Sequence, residues 1–98
     1  MLDTLTAESF APHVNTGFAV TMEGYDDVLT LVSVDPGKAI AGTGRTPFTL
    51  TFDGARTDMY FNQNVMPFDH PELGVIEMFA GPCGKNEDGT FRYSASFG

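Results

Sequence analysis

The chain has very little positive charge. Its 98 residues include five bases, Lys38, Arg45, Arg56, Lys85 and Arg92, against 13 acids, for a formal net charge of −8. The bases are scattered along the sequence. Binding to a phosphate backbone needs grouped Lys and Arg that displace counterions. A negative overall field also repels nucleic acid and anionic lipid. The expected partners therefore include no nucleic acid and no membrane. Cysteine is almost missing: Cys83 stands alone, which rules out an internal disulfide and with it the stapled secreted domains. No apolar run approaches the ~20 residues that cross a bilayer as a helix. The opening Met1-Leu-Asp-Thr-Leu-Thr-Ala-Glu8 has no basic stretch followed by an apolar one, so it does not read as a secretory signal. The expected location is the cytoplasm.

What the sequence does hold is apolar and aromatic. Hydrophobic residues make up 42%, nine of them Phe, which is too apolar for a chain that stays unfolded. The length fits one domain over residues 1–98 with a core of its own. A short helix comes first, with Thr6 as N-cap, Glu8 near the positive helix end, Leu5 and Phe10 as a staple-like pair, and a stop near Pro12. Its role is to cover one open end of the strand assembly.

The rest alternates with a period of two. Phe18, Val20 and Met22 share one face of residues 16–23. Residues 28–34 are apolar on both parities, which reads as a central strand buried on both sides for part of its length. Phe48, Leu50 and Phe52 alternate with Thr49, Thr51 and Asp53; Met66 and Phe68 precede a polar turn; Val75–Ala80 forms a further strand; and Phe91, Tyr93, Ala95 and Phe97 line one face of the last. Gly/Pro/Asp/Asn clusters separate these runs, including a loop over 36–46 and a hairpin-type loop over 81–89. Six short strands with no helical pattern between them predict an all-β fold, a six-stranded antiparallel barrel or tight sandwich with a short N-terminal helix. The expected core is Phe10, Phe18, Val20, Val28, Val32, Phe48, Leu50, Phe52, Met66, Phe68, Ile76, Met78, Phe91, Tyr93 and Phe97.

Residues that carry chemistry are sparse. Gly42-Thr-Gly-Arg45 leads into a strand, so it lacks the helix N-terminus that makes a glycine loop a phosphate cradle. Glu23, Asp26 and Asp27 give too few oxygens for a calcium cage, and Asn86-Glu-Asp-Gly89 lacks the series of a calcium loop. These read as solvated turns. Cys83 has no neighbouring base to lower its pKa, and reaches a histidine only if the fold brings His13 or His70 to it. Asp69, His70 and Glu72 are the one place where a histidine and two carboxylates gather, and form the candidate site for a small molecule or metal ion. Adjacent residues on a strand point to opposite faces, so the competing reading is structural: His70 and Pro71 end a strand, Leu73 comes next, and Gly74 supplies freedom in φ. With no second group of ligands at metal spacing, the sequence implies no cofactor, no metal and no catalytic residues.

Four stretches, Leu5-Thr-Ala-Glu-Ser-Phe10, Pro47-Phe-Thr-Leu-Thr-Phe-Asp-Gly54, His70-Pro-Glu-Leu-Gly74 and the Phe-rich segment after Pro82, resemble in this order a family of small uncharacterised bacterial all-β domains of about this length. The His-Pro-x-Leu-Gly turn is the most specific of them. Asn64 stands where relatives carry a turn glycine, and the loop over 85–89 is longer here. The resemblance spans nearly the whole chain and transfers no catalytic residue. Its members are encoded near proteins with phage-tail-collar-type domains. It thus implies a non-enzymatic interaction or structural module of a tail-like or fibre-like assembly, acting through a protein partner or self-association.

Overall fold

The computed structural model describes residues 7–22, 25–37 and 47–97. A single helical turn, α1 (Ala7–Phe10), runs into a 3-10 turn at Ala11–His13. Six strands come after it: β1 (Gly17–Met22), β2 (Tyr25–Pro36), β3 (Phe48–Asp53), β4 (Asn64–His70), β5 (Gly74–Lys85) and β6 (Phe91–Phe97). They close into an antiparallel barrel in the order β1-β2-β3-β6-β5-β4. Closure removes the free edges that would otherwise template aggregation. The β1–β4 seam closes the ring with the pairs Ala19↔Asp69 and Val20↔Phe68.

Because neighbours run antiparallel, the ring has two distinct ends. One end gathers the start of β1, the finish of β2 and the β4–β5 turn, and α1 covers it. There Phe10 is fully buried and packs on Phe48 with ring centroids 5.9 Å apart. The opposite end gathers the β3–β4 connection and the β5–β6 loop. In the ring β3 and β4 stand across from each other, so residues 54–63 must cross the barrel mouth. Phe61 fills that mouth at 2% exposure, and its N–H donates to the Tyr93 hydroxyl at 3.0 Å.

Alternation packs the interior. Phe18, Phe52 and Phe68 meet at its centre, with centroids 5.3 Å apart for Phe18–Phe52 and 5.0 Å for Phe52–Phe68. Met66, Leu50, Leu29, Leu31, Ile76 and Met78 fill the space around them. A six-stranded ring is narrower than the eight-stranded kind that just holds a ligand, and these side chains occupy it.

The fold corrects the expected core in places. Val28 is 49% exposed and Val32 half-buried, while Leu29 and Leu31 point inward instead. A barrel has one dry face, so β2 is not buried on both sides. Its mixed parity comes from a bulge between Leu31 and Ser33, after which Val34 packs on the core. An extra residue in one strand flips the faces beyond it. Phe91 is half-buried rather than central, stacked on Tyr60 at 5.0 Å. Leu5, Thr6, the side chain of Phe97 and the loop over 38–46 lie outside the described residues. β5 runs to Lys85, well past Ala80, because a second bulge between Pro82 and Gly84 takes up the proline. The β5–β6 loop therefore shortens to 86–90.

Asp27 holds the start of the crossover. It is 8% exposed, and its carboxylate accepts N–H bonds from Val28 (2.8 Å), Ala55 (3.0 Å) and Arg56 (3.4 Å). Gly54 makes the approach possible, since a Cβ there would stand 2.6 Å from Asp27 Oδ2. Gly54→Ala is expected to cost ~1–3 kcal/mol through overpacking, and Asp27→Ala ~2–3 kcal/mol through the orphaned amides. In a double-mutant cycle read by urea unfolding, Gly54→Ala should be cheaper by about 1 kcal/mol once Asp27 is gone. Strict additivity would mean the two do not touch.

Candidate functional site

β4 alternates inward Met66, Phe68 and His70 with outward Val65 and Asp69. The three residues of the candidate site therefore do not converge. His70 is buried at 2% exposure, while Asp69 and Glu72 are exposed, Asp69 on the outer wall and Glu72 in the turn.

The imidazole of His70 is fully engaged. Its Nδ1 accepts the N–H of Glu72 at 3.0 Å and that of Leu73 at 3.3 Å. An acceptor carries no proton, so the proton sits on Nε2, which donates to Thr16 Oγ1 at 3.0 Å. Thr16 in turn donates to the His13 carbonyl. The ring packs on Phe18 and, edge-on, on His13, each with centroids 4.6 Å away. His70 thus ties the 3-10 turn, β1 and the β4–β5 turn together. Leu73 packs against the core, and Gly74 turns the chain with φ +78°. Neither ring nitrogen has a lone pair left for a metal ion or a substrate proton. Among the described residues, no group of three or more His, Cys, Asp or Glu side chains is placed to hold a metal.

The remaining candidates stand apart from this turn. Cys83 is exposed in the β5 bulge, at the crossover end of the barrel, whereas both histidines lie at the α1 end. No imidazole reaches the thiol. Asp27, expected in a solvated turn, is the buried anchor of the crossover; Asp26 is exposed, and Glu23 and Gly42–Arg45 lie outside the described residues. In the β5–β6 loop, Asn86 Nδ2 donates to Asp53 Oδ1 and Thr90 Oγ1, each at 3.0 Å, and Gly89 takes φ +92°. Asp88 accepts from the Thr90 hydroxyl, which holds its carboxyl below the usual range. An open depression of about 410 Å³ lies on the outside of β5 and β6, over Gly81 and Ser94.

The sequence signals missed three features. Asp27 shares its parity with Leu29 and Leu31, which marked it as inward-facing. Thr16 carried no local signal for its bond to His70, 54 residues away. The third is the outer wall, where Val28, Val65, Val75 and Phe79 project at 49–64% exposure.

Fold and site together define a solid-cored, closed six-stranded β-barrel whose buried polar side chains brace its own turns. Among the described residues, no helix is long and apolar enough to cross a membrane. The chain belongs to the family described as "Domain of unknown function (DUF6916)", which covers residues 5–97. No curated protein and no solved structure matches it.

Two outcomes check these assignments. Long-range 1H–15N correlations should show His70 as the Nε2–H tautomer, and Thr16→Val should cost ~1–2 kcal/mol in urea unfolding by removing the hydroxyl between the two histidine residues; a proton on Nδ1 would break the account. Asp53 gives the pH dependence. Its bidentate pair with Arg92, at 2.8 and 3.1 Å, is the main cause holding its carboxyl below the ordinary 3.8, with burial opposing and Asn86 assisting. A lowered folded-state value favours the folded form above 3.8, and that gain is lost as pH falls below 3.8 through the lowered value. Arg92→Gln should flatten the acid limb of the stability curve in that window, by a small amount because the pair is part-exposed.

Proposed function

We propose that this domain is a non-enzymatic module that works by protein–protein contact, as a structural or accessory part of a larger assembly. One observation carries the reading. The interior is filled and, among the described residues, the buried polar side chains Asp27 and His70 are spent on backbone amides, while large apolar side chains project from the outer wall. Isolated exposed hydrophobics are ordinary, but a shared face of them marks a contact surface. The family resemblance to domains encoded near tail-collar-type proteins supports placing the assembly among tail-like or fibre-like structures. A small-molecule or ion site at Asp69, His70 and Glu72 has less support, because Asp69 faces outward, Glu72 is exposed in the turn, and the imidazole between them is fully bonded.

Affinity purification of the tagged chain after crosslinking in its source cells should recover a stoichiometric protein partner or a defined oligomer. Recovery of the monomer alone would sink the reading.

A further inference from the structure

The outer wall formed by β1, β4, β5 and the first half of β2 is unlike the rest of the surface. Along β5 the outward residues are Val75, Glu77 and Phe79. They stand directly opposite Asp69, Pro67 and Val65 of β4. A cross-strand row then continues from Val75 through Asp69 and Ala19 to Val28. The wall is thus an alternating field of exposed aliphatic or aromatic groups and carboxylates. Asp69 and Glu77 are diagonal neighbours, roughly 7 Å apart at the backbone.

Short of Lys85 at the far end of β5, beyond the Pro82–Gly84 bulge, this wall carries no base. Residues 1–37 and 57–84 contain neither Lys nor Arg. The bases among the described residues are engaged away from Asp69 and Glu77: Arg56 pairs with Asp58 at 2.7 Å and reaches only the Asp26 carbonyl near the start of β2, Arg92 pairs with Asp53 at 2.8 Å, and Lys85, at the end of β5, sits 5.6 Å over the Phe91 ring. Among the described residues, Asp69 and Glu77 therefore have no positive neighbour on their own face.

From this we infer that the wall is the docking face for a cationic protein surface, one in which Lys or Arg alternates with apolar side chains. The inference rests on the interaction-module reading above and says which face is used and what it meets. Charge complementarity selects the occupant. A second copy, applied through the same face, would set Asp69 and Glu77 against their own equivalents under a net charge of −8 on each chain. Like charges brought together across an interface oppose assembly. Anionic lipid is repelled on the same ground. A basic partner gains from both features at once: its apolar groups cover Val75, Val65 and Phe79, and its cations are steered to the carboxylates between them.

The probe is a short synthetic peptide of alternating Lys and Leu, titrated into the 15N-labelled chain. Amide shifts should concentrate on residues 17–21, 26–30, 64–70 and 74–80. Asp69→Lys combined with Glu77→Lys should weaken binding at least about tenfold, as should Val75→Ser combined with Phe79→Ser; all four positions are exposed, so the fold, checked by the same spectra, should persist. Shifts centred on β3 and β6 overturn the inference. So does equal binding of an oligolysine, which would be plain electrostatics, or of the Glu–Leu counterpart. Concentration-dependent sedimentation that vanishes in Phe79→Ser would assign the wall to a second copy and also overturn it. Repeating the crosslinked purification with the double lysine variant separates the two levels. A partner that stays bound overturns this face but leaves the interaction-module reading standing, whereas a wild-type chain without partner or oligomer removes that reading itself.

Discussion

Six strands wound into a closed ring leave a channel too narrow for anything except side chains, and that constraint governs the rest of this molecule. The channel must be filled without voids, because an interior gap loses the contacts of every atom lining it. Rings do this efficiently, which accounts for Phe18, Phe52 and Phe68 meeting at the centre and for Phe10 and Phe61 stoppering the two mouths. A core built this way has no room for converging ionisable groups. Whatever chemistry the surface offers must be that of its outside.

Asp27 and His70, the buried polar side chains among the described residues, answer to the same constraint. Connections that cross or turn at a barrel mouth carry backbone N–H groups that the ladder does not satisfy, and a buried amide without a partner is costly. Asp27 meets this need at the crossover end and His70 at the helical end. Each stands at the inward parity of its strand and accepts from amides of a connection at its mouth; Gly54 leaves room for the carboxylate, and Thr16 Oγ1 takes the other ring nitrogen of the imidazole. Residues that look like chemistry in a linear sequence serve here as braces.

How much of this could be read in advance depended on whether the cause was local. The alternation of Phe48, Leu50 and Phe52, or of Tyr93 and Ala95, is written along the strand itself, so strands, fold class and most of the core were legible. The inward face of β2 was not. Its bulge after Leu31 exists to fit β3, which lies beyond the next loop, and no window of sequence contains both. Phe61 sits in a stretch without period, buried by the path of the crossover and not by its neighbours. The bond from His70 to Thr16 joins residues 54 positions apart. The gathering of Asp69, His70 and Glu72 was visible as composition, but strand parity, which sends alternate residues to opposite faces, divides it.

The ring order has a consequence for how the molecule is made. The last strand, β6, lies between β3 and β5. Until β6 has been made, both flanking strands have an open side and the Phe-rich interior faces water. Neighbour-by-neighbour zipping cannot finish the job, since the pairing of Phe48 with Phe97 spans half the chain. Distant pairings of this kind slow folding and lengthen exposure of sticky intermediates. β6 is thus the keystone of the ring, and until it is in place the negative charge of the chain is what opposes contact between one open interior and another.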